Sequence, residues 1–399
     1  MIKIKPNIEA NLNCPICKKS LLTQKLLWQG IHICTETHCN NCKKDFFSDL
    51  PVGHGVHASF HVAKDSCELY GERSREWLGV PFQKSLREPS PRPVELTVEK
   101  KRAVLGDVVI LNCIDYLYGH SLLKLLNASR HINAKQNLVV IVPAFLKWCV
   151  PENVSEIWSV NITLKDSQEF YPDLNKKLKR EIERFNIVYV SKALAHSKDF
   201  DVLDYTKVSN VNNSPDGKRQ ALFVWREDRL WNNENIPFRI ARRLKIKTPL
   251  LWLQRNKIVK LFKQIKKDCK DVEFIVAGLG ETGNFPEWIL DTRVKKFNEA
   301  NEREFCKIYA QTDVVIGVHG SNMLLPSGHA NMTIDIMPKG RWGNFSQDIL
   351  YQENDCRMAS YRYRYIPIET STKTIAHIAV SMMTGFENHK QVMLEDYFI

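Results

Sequence analysis

The 399-residue sequence contains no run of about 18 uncharged apolar residues, which excludes a membrane-spanning helix of ordinary length. Its first residues, MIKIKPNIEANLNC, lack the apolar core and small-residue cleavage site of a secretory signal. The expectation is therefore a cytoplasmic chain. Exact internal repeats are also lacking. The composition is not that of a disordered chain, since 26% of residues are charged and 10% aromatic. With 44% hydrophobic residues, the length suits two cored domains plus something smaller.

Acidic residues are the minority charge, 45 against 57 basic, leaving a net charge of +12. Such an excess suits nucleic acid, nucleotide phosphates or an anionic membrane surface, and a lysine-rich solvated surface accounts for it equally well. Cysteine is not scarce. There are 11, an odd number, and six fall within the first 67 residues. Without a secretory signal, metal ligands or free thiols are expected rather than a disulfide framework.

Two of the N-terminal pairs are knuckles, Cys14-Pro-Ile-Cys17 and Cys39-Asn-Asn-Cys42. Their spacing is that of a zinc ribbon, in which a hairpin brings the second pair to the first and four thiolates enclose one tetrahedral ion. Cys34 and His38 are spare candidates. Four protein ligands leave no open position, so this zinc is expected to be structural. The other cysteines, Cys113, Cys149, Cys269, Cys306 and Cys356, read as small core residues.

Residues 51–103 read as an irregular linking or wrapping segment, with a histidine cluster (His54, His57, His61) and the proline-rich stretch 87–93. The histidines fit no named metal signature, and a partly exposed loop or strand is expected. From about residue 104, apolar runs alternate with helical stretches. Strands are expected at Val108–Leu111, Leu138–Val142, Ile157–Val160 and Ile187–Ser191, with helices at His120–Ser129 and Asp173–Phe185. A second series follows the polar boundary Ser209–Arg219. Its strands are Ala221–Trp225, Val272–Ala277, Asp313–Val318 and Thr333–Met337, and its helices Leu250–Asp268, Glu302–Ala310 and Thr374–Thr384. This alternation predicts parallel, doubly wound sheets. The expected division is a zinc ribbon (1–50), the irregular segment (51–103), one Rossmann-like domain (104–212), a second (213–373), and a helix packing back (374–399).

The sharpest chemical signal is the strand ending in His319-Gly320-Ser321-Asn322, followed at once by an apolar helix. Ligands bind beyond the carboxyl ends of strands in such sheets. Gly320 permits close backbone approach, and the Ser321 and Asn322 amides would face an anion such as a pyrophosphate. His319 is placed to donate to a phosphate or hydroxyl, or to move a proton. An ordinary strand-to-helix turn with a hydrogen-bonded histidine is the alternative. The stretch Gly278-Leu-Gly280-Glu-Thr-Gly283 has the dinucleotide pattern, but Asn284-Phe-Pro286 follows it where a helix should begin, so a donor-side loop is expected instead.

The stretch Val315–Pro338 resembles the signature of family 61 glycosyltransferases, which include EGF-domain O-GlcNAc transferases and plant xylan-decorating enzymes. The resemblance rests on Gly317, His319, Gly320, Ser321, Leu324, Leu325 and the strand Thr333–Pro338. Tyr118-Gly-His120 and the tail Arg357–Ile368 are weaker matches, and the likeness extends over about residues 104–370, without the ribbon. It implies a GT-B-like α/β fold, with two Rossmann-like domains facing a cleft and a nucleotide-sugar donor held mainly by the second. It also implies inversion at the anomeric carbon without an obligatory metal. The family's Ser-Arg pair has no match here; the nearest residues are Arg226 and Arg229, with Asn232 and Asn233 after them. These arginines suit a diphosphate, with Arg255 as a further candidate. His120 and Asp115 are the candidate catalytic residues on the acceptor side. The acceptor would be a glycan, a lipid-linked glycan or a protein, placing the chain in polysaccharide biosynthesis, in the cytoplasm or peripherally at a membrane. A zinc-ribbon protein that binds or modifies nucleic acid is the alternative. Its basic residues would track phosphates, but they are dispersed and not interleaved with stacking aromatics.

Overall fold

The computed structural model describes residues 1–193, 200–209, 218–232, 247–347, 349–350 and 355–393. The chain divides into two compact units, Met1–Tyr205 and Thr206–Ile399. Residues 210–217, most of the polar stretch read as the boundary, lie outside the described residues, as does Asn233.

The first unit begins with strand β1 (Ile2–Lys5). An antiparallel sheet follows, made of β2 (Leu22–Trp28), β3 (Ile33–Cys39), β4 (Lys44–Asp49), β5 (His61–Ala63) and β6 (Leu69–Tyr70) in sequential order. Next come β7 (Leu96–Lys100), β8 (Val108–Asn112), β9 (Asn137–Pro143), β10 (Glu156–Val160) and β11 (Val188–Val190). The second sheet has the order β1-β11-β8-β9-β10-β7. Its four inner strands are parallel, and β1 and β7 add antiparallel edges. Val108, Ile110, Val139 and Ile141 are fully buried, as expected for parallel strands covered on both faces.

Two expectations are corrected here. Residues 51–103 are not an irregular linker: they supply β5, β6, β7, one turn of π-helix (Arg75–Gly79) and a helix (Val80–Arg87). Nor is the ribbon a separate small domain. Cys14, Trp28, Ile33, Cys39 and Phe46 share one hydrophobic core with Val108, Ile141 and the helix residues Leu174, Leu178 and Ile182. The helix Pro172–Ile182 turns one stripe, Leu174, Leu178 and Ile182, into this common core, so the ribbon and the parallel sheet have no separate cores.

The second unit contains β12 (Arg219–Trp225), β13 (Val272–Gly278), β14 (Ile289–Asp291), β15 (Val314–Val318), β16 (Met332–Met337) and β17 (Tyr363–Pro367). Every pairing is parallel, in the order β14-β13-β12-β15-β16-β17. Counted from β12 this is 3-2-1-4-5-6, the order of a Rossmann fold. Helix Thr248–Asp268 buries Ile258, Leu261, Phe262 and Ile265 against it. Helix Thr372–Met393 packs beside that helix through Ile375, Ala376 and Ala379. No helix among the described residues is long and apolar enough to cross a membrane.

Gly278 closes β13 at φ +126°, a conformation that L residues rarely adopt, and a Cβ there would collide with the Trp225 carbonyl oxygen. Gly278→Ala is expected to destabilise the second unit by about 2 kcal/mol or more. Gly340→Ala, at a position with nothing within 4 Å, should change stability by no more than about 0.5 kcal/mol. Urea unfolding of both variants checks the pair.

Candidate functional site

Each parallel sheet reverses direction once. In the first unit the chain runs β8, β9, β10 to one side and returns to β11 on the other side of β8. In the second it runs β12, β13, β14 and then places β15 on the other side of β12. Beyond the carboxyl ends of strands at such a reversal, adjacent loops part and leave a crevice. The residues singled out from the sequence lie at these two points: Asp115 after β8 in the first unit, Arg226 after β12 and His319 after β15 in the second.

Asp115 is fully buried. One carboxylate oxygen lies 2.6 Å from His54 Nε2 and 2.7 Å from Lys124 Nζ; the other lies 3.5 Å from His120 Nδ1. The Leu117 amide donates to that second oxygen at 3.2 Å, fixing the turn into helix Tyr118–Leu125. Lys124 is only 2% exposed and also donates to the Ile114 carbonyl at 3.0 Å. Burial alone would raise the Asp115 carboxyl. The Lys124 charge and the adjacent His120 and His54 rings outweigh it and hold the group well below the usual carboxylate range. Burial, reinforced by the Lys124 charge, pushes His54 down to about 4, so its ring stays neutral at pH 7. His120 has a quarter of its side chain exposed. Because Nδ1 faces Asp115, Nε2 points away from the carboxylate, as in a His-Asp base.

The sequence pointed to Asp115 and His120, and the structure brings them together. The sequence named His54 only within a cluster with His57 and His61, and it did not single out Lys124. His54 arrives from the loop before β5, and nothing in the sequence ties it to residue 115. Lys124 carried a signal, since a lysine amid Ser-Leu-Leu-Lys-Leu-Leu, four residues after His120, shares that residue's helix face. His57 is exposed, and His61 bonds Ser48 Oγ at 2.8 Å, so the three histidines do not converge.

In the second unit, Gly320 follows β15 at φ +149°. A Cβ built there would lie 2.6 Å from one guanidinium nitrogen of Arg226 and 2.6 Å from one of Arg229. Arg226 donates to Asn322 Oδ1, Arg229 to the His319 carbonyl. Asp228 pairs with Arg226 at 2.7 Å, and the Gln254 amide anchors the Arg226 carbonyl at 3.0 Å. Asn322 Nδ2 is buried without a hydrogen-bond partner among the described residues. The expected helix after Asn322 begins as a 3-10 turn, Ser321–Met323, and continues for only six residues, Leu324–His329. Positive charge at Gly320 therefore comes from the two arginines rather than from a helix dipole.

His319 is buried, and its Nδ1 lies 3.0 Å from Asp335 Oδ2. Tyr363 donates to the same oxygen at 3.0 Å. Asp335 is a charge inside the apolar run Thr-Ile-Asp-Ile-Met, a visible signal that the sequence reading passed over. Gly317 faces Met323 and Val224, so it serves packing beneath the turn. Ser321 is exposed and opens the 3-10 turn.

The glycine loop 278–283 follows β13 and leads to β14 without an intervening helix. Glu227 fills it, accepting from the Thr282 amide at 3.0 Å, and Arg293 donates to the Thr282 carbonyl at 3.0 Å while lying over Trp225 and Phe285. Arg255 bonds the Asn284 carbonyl of this loop and does not join Arg226.

The ribbon forms a second constellation. The sulfurs of Cys14, Cys17, Cys39 and Cys42 all lie within 4.8 Å of one another, with Cys14–Cys42 at 3.9 Å and Cys17–Cys39 at 3.5 Å. A tetrahedron with Zn–S bonds of about 2.3 Å has sulfurs about 3.8 Å apart, so the four thiols fit the ion. The two knuckles match: Lys18 and Lys43 adopt left-handed φ of 63° and 54°, and their amides bond Cys14 O and Cys39 O. The Lys19 amide, more than any other group, holds the Cys17 thiol down to about 6. Cys34 packs instead with Phe60 and Phe82, and His38 pairs with Asp45 at 2.8 Å, so neither spare candidate is a ligand.

No family model matches the chain, and no curated protein does. Among solved structures, one assigned as UDP-N-acetylglucosamine 2-epimerase from Listeria monocytogenes is 11% identical, with a TM-score of 0.30, over 69% of this chain and 72% of that one. The pneumococcal O-GlcNAc transferase GtfA, in complex with UDP and GlcNAc, is 13% identical with a TM-score of 0.27. That match covers 91% of this chain and 65% of GtfA.

Two outcomes are expected. Removing Lys124 strands a buried carboxylate, so Lys124→Met should cost about 3–5 kcal/mol, and adding Asp115→Asn should recover part of it; a double-mutant cycle by chemical denaturation measures this. Because the cysteine cluster shares the first unit's core, a strong zinc chelator should lower that unit's unfolding temperature, and zinc, but not magnesium, should restore it. Differential scanning calorimetry with metal analysis provides the readout.

Proposed function

We propose that the chain is an inverting glycosyltransferase that moves a sugar from a nucleotide-sugar donor to an acceptor hydroxyl. The observation that carries this reading is the bare backbone at Gly320, set between two guanidinium groups at a sheet reversal. Sugar transfer asks a protein mainly to neutralise a departing diphosphate and to take a proton from the acceptor. Arg226 and Arg229 supply the first, with planar donors matched to phosphate oxygens. Asn322 Nδ2 offers a further donor. Two guanidiniums beside the diphosphate make a resident metal unnecessary for this role. Asp228, 72% exposed on its side chain, occupies Arg226 until phosphate oxygens replace it. The buried Asp335 fixes the His319 ring and hence the turn that presents Gly320.

His120 is assigned as the base. Its Nε2 takes the hydroxyl proton as the acceptor oxygen bonds to the anomeric carbon and the bond to the diphosphate breaks. Asp115 then faces the imidazolium and stabilises it. The resemblance to family 61 around Val315–Pro338 supports the donor side. A glycan, lipid-linked glycan or protein acceptor, and a peripheral place at a membrane held by the basic surface, belong to the same proposal. The four-thiolate site is assigned to structural zinc.

Calorimetric titration with UDP, GDP, CMP and TDP tests the donor site. One nucleotide should bind at micromolar concentration. Loss of a charge-assisted contact in Arg226→Ala should weaken it about 10- to 150-fold. Gly320→Ala should abolish binding, and Asp228→Asn should leave it equal or tighter. If folded, zinc-loaded protein binds none of the four, the transferase reading fails and nucleic acid becomes the partner to test.

A further inference from the structure

Resting on that reading, we infer that Trp77 is the platform on which a saccharide acceptor stacks, so that the acceptor is a carbohydrate at its reacting end. Trp77 keeps 40% of its surface exposed, roughly 100 Å² for an indole of this size. Its ring centre lies 5.5 Å from His54, 6.4 Å from His120 and 6.0 Å from Tyr116. The exposed indole thus stands directly beside the His54–Asp115–His120 cluster.

The position is built rather than incidental. Trp77 sits in a π-helical turn, Arg75–Gly79, entered through Ser74 at a left-handed φ of 60°. Such turns are uncommon and concentrate at functional sites. Leu78 and Gly79, the two residues after Trp77, are buried, and a Cβ at Gly79 would lie 2.6 Å from the Phe60 ring, so the turn is wedged in place. Arg75 bonds the carbonyls of Leu69 and Gly71 at 3.1 and 3.0 Å, and Gln168 bonds the Trp77 carbonyl at 3.0 Å. A large apolar ring is therefore held rigidly in water, where it gains nothing by itself.

The surrounding chemistry selects the ligand class. A pyranose presents an apolar face of C–H bonds and a rim of hydroxyls. An indole takes the face, and the imidazoles whose ring centres lie 5.5 and 6.4 Å from it take the rim. Stacking on Trp77 would bring a rim hydroxyl to His120. An acyl chain would call instead for a long apolar groove.

The test is ligand-observed NMR on the full-length protein with cellobiose, diacetylchitobiose and xylobiose. At least one disaccharide should bind saturably. Trp77→Ala should weaken that binding at least tenfold, Trp77→Phe should retain most of it, and Trp252→Ala, exposed on a helix of the other unit, should leave it unchanged. Absence of binding by all three disaccharides, or binding that survives Trp77→Ala, overturns the inference. So does Trp77-dependent binding of phosphatidylglycerol vesicles without saccharide binding, which would make the ligand a lipid surface. Nucleotide titration of the same samples separates the two readings. Nucleotide binding without saccharide binding sinks the platform alone. Trp77-dependent saccharide binding without nucleotide binding sinks the donor site and leaves the platform standing.

Discussion

The ion pair between Lys124 and Asp115 is the interaction on which the first unit's site depends. An ammonium on the apolar side of a leucine-rich helix is tolerable only with a carboxylate and a carbonyl against it. Asp115 and the Ile114 carbonyl provide both. The pair joins three separate parts of the chain: the end of β8, the helix that carries His120, and the loop that carries His54. Its reach extends further. Burial raises the Asp49 carboxyl, while His32 and the Lys124 charge pull it back, so the antiparallel sheet shares the same electrostatic balance.

The two sheet reversals hold opposite chemistries. In the first unit a buried negative charge is surrounded by groups that accept or hold protons. In the second, two guanidiniums bond neutral oxygens, the His319 carbonyl and the Asn322 amide, and the exposed Asp228 pairs with Arg226. One arrangement is suited to taking a proton and the other to receiving an anion. Neither needs a change of fold to do so, because both use the ends of strands whose backbone is already fixed.

The parallel sheets were legible because their strands are buried on both faces. Runs such as Leu-Val-Val-Ile-Val and Asp-Val-Val-Ile-Gly-Val have no other reading in a chain with helices between them. The four clustered cysteines were legible because their paired spacing is local. The wrapping of residues 51–103 was not. β5 and β6 are short, and β7 is half exposed and pairs with β10, far along the chain. At the two sheet reversals, Asp115 and His120 in the first unit and Arg226 and Gly320 in the second stood just beyond strand ends, where a pattern marks them. His54 and Trp77 are delivered by tertiary packing from segments without periodicity. Lys124 and Asp335 were readable as charges within apolar runs, which demand a buried partner.

Strand β1 pairs with β11, so Ile2 lies opposite Val190. During synthesis the ribbon cysteines emerge within the first fifty residues and are able to take up metal early. The strand just before them must wait for its partner, about 10–40 s at ordinary elongation rates. Until then Ile2 and Ile4, both buried in the finished unit, stay uncovered. Residues made long before their partner strand are thus among the last to reach their places, and the nascent ribbon carries an adhesive strand that a chaperone has reason to hold.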